Sequence, residues 1–269
     1  MNIFHSIILG IIEGITEFLP ISSTGHLILV SSLLKIQNSN SLKSFEIIIQ
    51  LGAIFAVLTL YLKEFFNLEV IKKISIAFIP TGIIGLTVYK FIKSHLLGNN
   101  LIVVLSLIIG GIFMLIVENF YTRKNTNSPK LDDKLKGEEK NNFNIKEISY
   151  LQAFYLGLWQ SVAMIPGVSR SGATIIGGLL MNLKRETIVK FTFLLAVPTM
   201  FAASLLDILK NYKDINENIL NISIGFIVAF IFALIFIKWL LAYIQKHNFK
   251  IFGWYRIIIA IIFLIILIF

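Results

Sequence analysis

Two stretches of the chain decide its fold: GIIEGITEFLPISSTGH at residues 10–26 and GLWQSVAMIPGVSRSGA at residues 157–173. They lie in long apolar regions, residues 1–34 and 148–183, and interrupt each region near its middle with proline and glycine. Each region is too long for one membrane span of about 20 residues and too short for two. Because proline removes a backbone donor and disfavours helix before it, we predict two half-helices per region, entering and leaving by one face.

The two stretches also resemble each other. Gly10 aligns with Gly157 and Ser22 with Ser169, at an offset of 147 residues, and each region is followed by three apolar segments. A re-entrant pair does not change sides of the membrane, whereas three spans do. The second copy is therefore predicted to be inverted relative to the first.

Six apolar segments are long enough to be spans. They are residues 45–62, 74–92, 101–119, 187–207, 219–240 and 252–269. The sequence thus predicts an all-α integral membrane protein with an inverted repeat, six transmembrane helices and two re-entrant half-helix pairs. The first repeat is residues 1–120, the second is residues 148–269, and residues 121–147 form a polar linker.

The composition supports a membrane protein. Hydrophobic residues make up 57% of the 269, and mean hydropathy is +0.84. Charged residues make up 14%, against roughly 25% in soluble domains, which excludes a soluble enzyme. The net charge of +9 indicates basic loops beside a membrane and not a nucleic-acid partner. There is no cysteine, so disulfide and thiolate chemistry are excluded.

The basic residues predict the orientation. Most lie in the linker and at the span ends beside it, and we assign Arg256 to that side. Because basic loops stay inside, we expect the linker in the cytoplasm and both termini outside.

The first broken stretch carries two acidic residues. Glu13 and Glu17 are four residues apart, which places them on one face of a helix. Two such carboxylates can hold a divalent cation, or one of them can act as a base. The simpler alternative is contact with water near the lipid headgroups.

Hydroxyl groups and a histidine follow the proline of that stretch. Ser22, Ser23 and Thr24 are suited to capping a new helix, whose free N–H groups form an anion site. His26 is three residues after Ser23, so a helix would let it activate Ser23 or protonate a leaving group. Capping alone is the alternative for Ser22.

The second broken stretch resembles a phosphate clamp. Arg170 lies between Ser169 and Ser171, and Thr174 follows. Arginine is permanently charged and suited to bidentate phosphate binding, and the hydroxyls add neutral donors. The alternative is a structural salt bridge to a glutamate of the first stretch. Elsewhere, Gln50 and Gln160 are interpreted as bonds between helices.

These stretches match two family signatures, EGxTEFLPxSSxGH from Glu13 and PGxSRSGxT from Pro166. The chain resembles the bacterial undecaprenyl-diphosphate phosphatase family, the type associated with bacitracin resistance. The resemblance implies a multi-pass enzyme of the bacterial inner membrane with an outward-facing site. It would remove the terminal phosphate of undecaprenyl diphosphate with Mg²⁺ or Ca²⁺, and so recycle the lipid carrier for peptidoglycan and other cell-wall polymers.

The resemblance also implies roles for single residues. The catalytic residues are Glu17, Ser23, His26 and Arg170; the substrate-binding residues are Ser22, Ser169, Arg170, Ser171 and Thr174; the metal ligands are Glu13 and Glu17. Two mechanisms remain open, attack by the serine hydroxyl or by water. The expected partners are a polyprenyl diphosphate lipid and membrane lipid, with no nucleic acid, and a homodimer is left open.

Other classes of membrane protein share some of these features. Inverted repeats with broken helices are typical of transporters and flippases, which phosphate release in detergent would distinguish. A phosphatase of the phosphatidic-acid type needs a later histidine, but none lies between His95 and His247. A purely structural protein would not need an arginine and two glutamates in apolar surroundings.

Overall fold

The computed structural model describes residues 1–37, 39–91, 96, 100–127, 145–210 and 218–268. Within these residues there are ten α-helices and no strand, which confirms the predicted all-α class. The helices are α1 (Ile3–Thr16), α2 (Ser23–Leu33), α3 (Asn40–Tyr61), α4 (Leu68–Phe91), α5 (Asn100–Asn127), α6 (Tyr150–Val162), α7 (Arg170–Leu180), α8 (Arg185–Lys210), α9 (Ile219–Ile244) and α10 (Lys250–Ile268). Short 3₁₀ turns occupy Leu62–Phe66 and Ile145–Glu147.

The four short helices form where the two broken regions were predicted. α1 and α2 flank the first break, and α6 and α7 flank the second. α2 and α7 have 11 residues each and start 147 residues apart. Each ends just before a non-glycine residue of positive φ, Lys35 at 53° and Asn182 at 58°. The repeat seen in the sequence is therefore also a repeat of backbone conformation.

The six long helices correspond to the six predicted spans, although their ends differ from the predicted bounds. Residues 92 and 269 of those spans lie outside the described residues. Stretches of α3, α4, α5, α8 and α9 are long and apolar enough to cross a membrane. The last predicted span corresponds to α10, a helix of 19 residues. α5 continues to Asn127, past the predicted end of the first repeat, and residues 128–144 of the linker lie outside the described residues.

Helices of one half of the chain pack against helices of the other half. α1 packs on α9 and α6 packs on α4, while α3 contacts α8 and α5 contacts α10. A Cβ at Gly10 would lie 2.7 Å from the carbonyl oxygen of Gly225, and one at Gly157 would collide with that of Ala77. Equivalent glycines thus let each first short helix approach a long helix of the other half. The inverted orientation of the halves in the membrane stays a prediction.

The outward faces of the long helices are apolar. Leu86, Ile109 and Leu220 are examples of large side chains that are more than half exposed. Exposed apolar surface on this scale indicates contact with lipid. Among the described residues, the buried and unpaired side-chain atoms of Glu13 and Arg170 lie in the two broken regions.

Candidate active site

A serine caps the new helix at each break. The Ser22 side chain accepts the Gly25 N–H at 3.4 Å, and the Ser169 side chain accepts the Gly172 N–H at 3.1 Å. Both serines have a positive φ, 72° and 69°, which is uncommon for a residue with a Cβ. The predicted caps are therefore present and equivalent. They leave N–H groups of the first turn free to face an anion.

The two breaks touch each other. The Ser171 hydroxyl donates to the carbonyl oxygen of Leu19 at 2.9 Å, and Ser169 and Ser171 share a hydrogen bond of 3.1 Å. As a result, Ser23 at the start of α2 and Arg170 at the start of α7 lie in one site.

Glu17 joins those two residues. Its Oε2 accepts a hydrogen bond from the Ser23 hydroxyl, and its Oε1 lies 2.8 Å from Nη2 of Arg170. Nε and Nη1 of Arg170 are buried and have no hydrogen-bond partner among the described residues. The salt bridge considered from the sequence thus exists, yet it uses only part of the guanidinium. The remaining donors suit a phosphate oxygen.

A cavity of about 150 Å³ lies between the breaks. Its lining residues are Glu17, Ser22, Ser23, Thr24, Gln50, Ala163, Pro166, Gly167, Ser169, Arg170 and Met200. Pockets that hold a whole drug-sized ligand usually measure about 300–1,000 Å³. The cavity is therefore of a size for a polar headgroup and not for a lipid tail.

Glu13 lies one helical turn before Glu17. The Glu17 N–H donates to the Glu13 carbonyl oxygen at 2.9 Å, so the helix continues and both carboxylates share a face, as predicted. Glu13 is fully buried, and neither carboxylate oxygen has a hydrogen-bond partner among the described residues. Such an orphaned carboxylate fits a cation.

The protein alone offers few ligands for that cation. Among the described residues, no group of three or more acidic, histidine or cysteine residues has the spacing of a metal site. Mg²⁺ commonly uses one or two carboxylates and completes its shell with water and substrate phosphate. Glu13 and Glu17 fit this mode of binding.

His26 is held away from the serine it was expected to activate. Nδ1 lies 2.8 Å from the carbonyl oxygen of Ser22, and Nε2 lies 2.8 Å from the hydroxyl of Tyr255. Its ring is nearly parallel to the Tyr255 ring, with centroids 5.5 Å apart. With both ring nitrogens bonded elsewhere, Glu17 is the group that contacts Ser23.

Two residues expected to bind substrate are used inside the protein. Thr174 donates to the carbonyl oxygen of Arg170 at 2.9 Å and accepts from the Thr192 hydroxyl at 3.0 Å. Neither Thr174 nor Ser171 lines the cavity. Their hydroxyls bond protein groups in this structure, and direct phosphate contact by Ser171 and Thr174 stays a prediction.

Comparison with known proteins identifies the family. Residues 6–262 match the family described as bacitracin resistance protein BacA. This chain belongs to the BacA family. A relative from Sulfurihydrogenibium sp. is 50% identical and one from Aquifex aeolicus is 48% identical, each alignment covering 98% of both chains. A relative from Bdellovibrio bacteriovorus is 44% identical over 99% of this chain and 97% of its own. All three are named undecaprenyl-diphosphatase.

The structure adds Gln50 to the site of this BacA family member. Gln160 bonds the hydroxyls of Thr81 and Thr199 at 3.1 and 3.0 Å, which confirms its predicted role between helices. Gln50 instead lines the cavity. The sequence could have indicated a role for Gln50 in the site, because the segment from Phe45 has glutamine where the second copy of the repeat has alanine.

The structure also corrects the placement of Arg256, which was assigned to the loop side of the membrane. Arg256 is fully buried and donates to carbonyl oxygens at both breaks. Its position inside the apolar segment 252–269 was the available signal. The charge-based orientation rests on the other basic residues.

Proposed function

We infer that this BacA family protein hydrolyses undecaprenyl diphosphate to undecaprenyl phosphate and inorganic phosphate. One observation carries the inference: Glu17, Ser23 and Arg170 line one cavity inside a membrane protein, and Glu17 contacts both of the others. Nε and Nη1 of Arg170 have no hydrogen-bond partner among the described residues. Phosphoryl transfer can use a base, a nucleophile and a positively charged side chain that binds phosphate, and these are the roles open to Glu17, Ser23 and Arg170. The names of the relatives supply the lipid.

Binding begins with the terminal phosphate entering the cavity. Nε and Nη1 of Arg170 donate to its oxygens, and the first turns of α2 and α7 add N–H donors. These donors lie where charge spreads over the phosphoryl oxygens during transfer. The polyprenyl tail stays among apolar side chains and lipid, since the cavity holds only the headgroup.

Chemistry follows from the Glu17–Ser23 contact. Glu17 takes the Ser23 proton as Oγ forms a bond to the terminal phosphorus, and the bond from phosphorus to the bridging oxygen breaks. Undecaprenyl phosphate leaves. Water then attacks the phosphorus of the phosphoserine, the bond from phosphorus to Oγ breaks, and one water proton restores the serine hydroxyl. Inorganic phosphate leaves, and Glu17 passes the proton that it took to bulk water. The competing route has water attack directly, with Glu17 as its base.

A divalent cation, Mg²⁺ or Ca²⁺, belongs to the proposal. Glu13 and Glu17 would hold it, together with phosphate oxygens and water. When bound, it neutralises charge on the diphosphate. The support is the buried Glu13 carboxylate, which has no donor among the described residues.

The product is a lipid carrier that cell-wall synthesis can reuse. We place the enzyme in the bacterial inner membrane as a multi-pass protein with its site open to the outer side. The excess of basic residues around the linker supports this orientation. Bacitracin resistance, which the family description names, accompanies the same function.

The test is phosphate release by purified protein in detergent, where no second compartment exists. We expect release from undecaprenyl diphosphate with Mg²⁺ or Ca²⁺ and none with chelator. Arg170→Ala should lower turnover by about 1,000-fold, since it removes the phosphate-binding cation and leaves Glu17 unpaired. Arg185→Lys is the control, because Arg185 pairs with Glu118 outside the cavity. Folded wild-type protein that releases no phosphate would contradict the function and favour a transporter.

A further inference from the structure

Arg256 is a fully buried arginine outside the cavity, and its partners among the described residues are backbone carbonyl oxygens. Its donors reach Ser106 at 3.1 Å, Leu107 at 3.4 Å, Gly167 at 3.1 Å, Val168 at 3.0 Å and Pro20 at 3.5 Å. One guanidinium therefore joins α5 to both breaks.

Three of these carbonyls, those of Pro20, Gly167 and Val168, lie just before the two caps. Pro20 is two residues before Ser22, and Val168 immediately precedes Ser169. Since those serines cap α2 and α7, one guanidinium binds the backbone just before both helix starts. A planar fork of five donors can bind several carbonyls at once, whereas the compact ammonium group of lysine cannot reproduce that geometry.

The surrounding backbone is shaped for this guanidinium. A Cβ at Gly110 would collide with Nη2 of Arg256, and one at Gly172 would lie 3.0 Å from Nη1. No carboxylate forms a salt bridge with Arg256 in the described part of the chain. An arginine held this way, in membrane surroundings, requires a reason beyond packing.

We propose that Arg256 is a positioning residue for phosphoryl transfer: it holds the Ser23 and Arg170 helix starts in register by binding the carbonyls that precede them. The proposal rests on the proposed function. Arg256 acts by positioning other groups, since it does not line the cavity. A displacement of about 1 Å at a reacting group can cost about 100-fold in rate. Loss of register should therefore lower kcat and leave KM nearly unchanged.

The kinetic test compares variants that disturb the Arg256 guanidinium with matched control variants. Arg256→Lys keeps the charge and should lower kcat by about 100-fold, with KM within about threefold. Gly110→Ala pushes on the guanidinium without changing any charge and should lower kcat by about 10-fold. Arg185→Lys and Gly82→Ala should keep wild-type kcat, because Arg185 serves a different ion pair and a Cβ at Gly82 meets only ring atoms at 3.8 Å or more.

Rates are divided by the folded fraction, taken from gel filtration and thermal unfolding. A wild-type kcat in folded Arg256→Lys or Gly110→Ala would overturn the proposal. So would equal losses in the controls, which would indicate general destabilisation. If Arg256→Lys does not fold, the result for Gly110→Ala decides.

A second readout does not depend on activity. The chain has no cysteine, so Thr24→Cys and Ile165→Cys can be spin-labelled as a unique pair, one at each break. We expect Arg256→Gln to broaden the measured distance distribution. An unchanged width would contradict the positioning role. If the wild type releases no phosphate, the proposed function fails while this measurement still tests Arg256.

Discussion

Ser23 begins α2 at the first break, and Arg170 begins α7 at the equivalent position of the second break, 147 residues later. The residue before each is a serine of positive φ that caps the helix. The two breaks therefore share their backbone and differ in side chains: one presents a hydroxyl, the other a guanidinium. Repetition supplies two anion-binding helix starts, and divergence gives them complementary chemistry.

The acidic residues show the same divergence. Glu13 and Glu17 of the first copy correspond to Gln160 and Met164 of the second. The amide nitrogen of Gln160 donates to two threonine hydroxyls, whereas the Glu13 carboxylate has no donor among the described residues. One copy therefore uses this position to join helices, and the other places there a carboxyl group that can bind a cation. Catalysis should depend on the first set and stability on the second.

The largest expected effect comes from the acid at the centre of the site. Glu17→Gln keeps the shape and removes both the base and the negative partner of Arg170, so kcat should fall by about 1,000-fold. Met164→Leu at the equivalent position should keep wild-type turnover. Steady-state phosphate release measures both. Equal losses would mean that the breaks do not differ as described.

A second comparison concerns the hydroxyls of Ser23 and Ser171, which should differ in their importance for turnover. Ser23→Ala should lower turnover by about 100- to 1,000-fold if the serine is the nucleophile. Ser171→Ala removes a hydrogen bond to Leu19 and should cost about 1 kcal/mol of stability, with turnover within a fewfold of wild type. Near-full turnover by Ser23→Ala would leave only direct attack by water.

Substitutions of the two glutamines should affect different quantities: substrate binding for Gln50 and stability for Gln160. Gln50→Leu removes a polar group from the cavity wall and should raise KM by about 10-fold, the value of one hydrogen bond to a charged phosphate. Gln160→Leu should lower the thermal midpoint and leave KM unchanged. Michaelis curves and thermal unfolding of both variants check this, and the opposite pattern would exchange their roles.

The capping serines should give the smallest and most equal effects. Ser22→Ala and Ser169→Ala each lose a cap, whereas the positive φ is equally strained for serine and alanine, so each should cost about 1 kcal/mol. Glycine at either position tolerates that φ, so its cost should be about 1 kcal/mol or less. Thermal unfolding measures the series. A large difference between the two serines would contradict the equivalence of the breaks.

Much of this was predictable because it depends on local pattern. Proline and glycine predicted where the helices break, and the repeat predicted equivalent caps. The four-residue spacing predicted that Glu13 and Glu17 share a face. These features depend on neighbouring residues, which the sequence displays directly.

The rest depends on tertiary packing. His26 bonds a tyrosine 229 residues away, which removes it from Ser23, and spacing within one helix could not reveal that. Arg256 was assigned by charge alone, although its apolar neighbours place it inside a helix. Ser171 and Thr174 have the residue types of a phosphate site, but their hydroxyls bond carbonyl groups and another hydroxyl of the protein.

The central claim is that Glu17 and Arg170, from opposite breaks, act on one phosphate. A double-mutant cycle of Glu17→Gln and Arg170→Ala, measured as kcat/KM for phosphate release, tests it most directly. Residues that act as a unit give grossly non-additive losses, so we predict that the double variant is no more than about 10-fold worse than either single variant. Losses that multiply, about 1,000-fold on about 1,000-fold, would show that the two breaks act independently and would contradict the account.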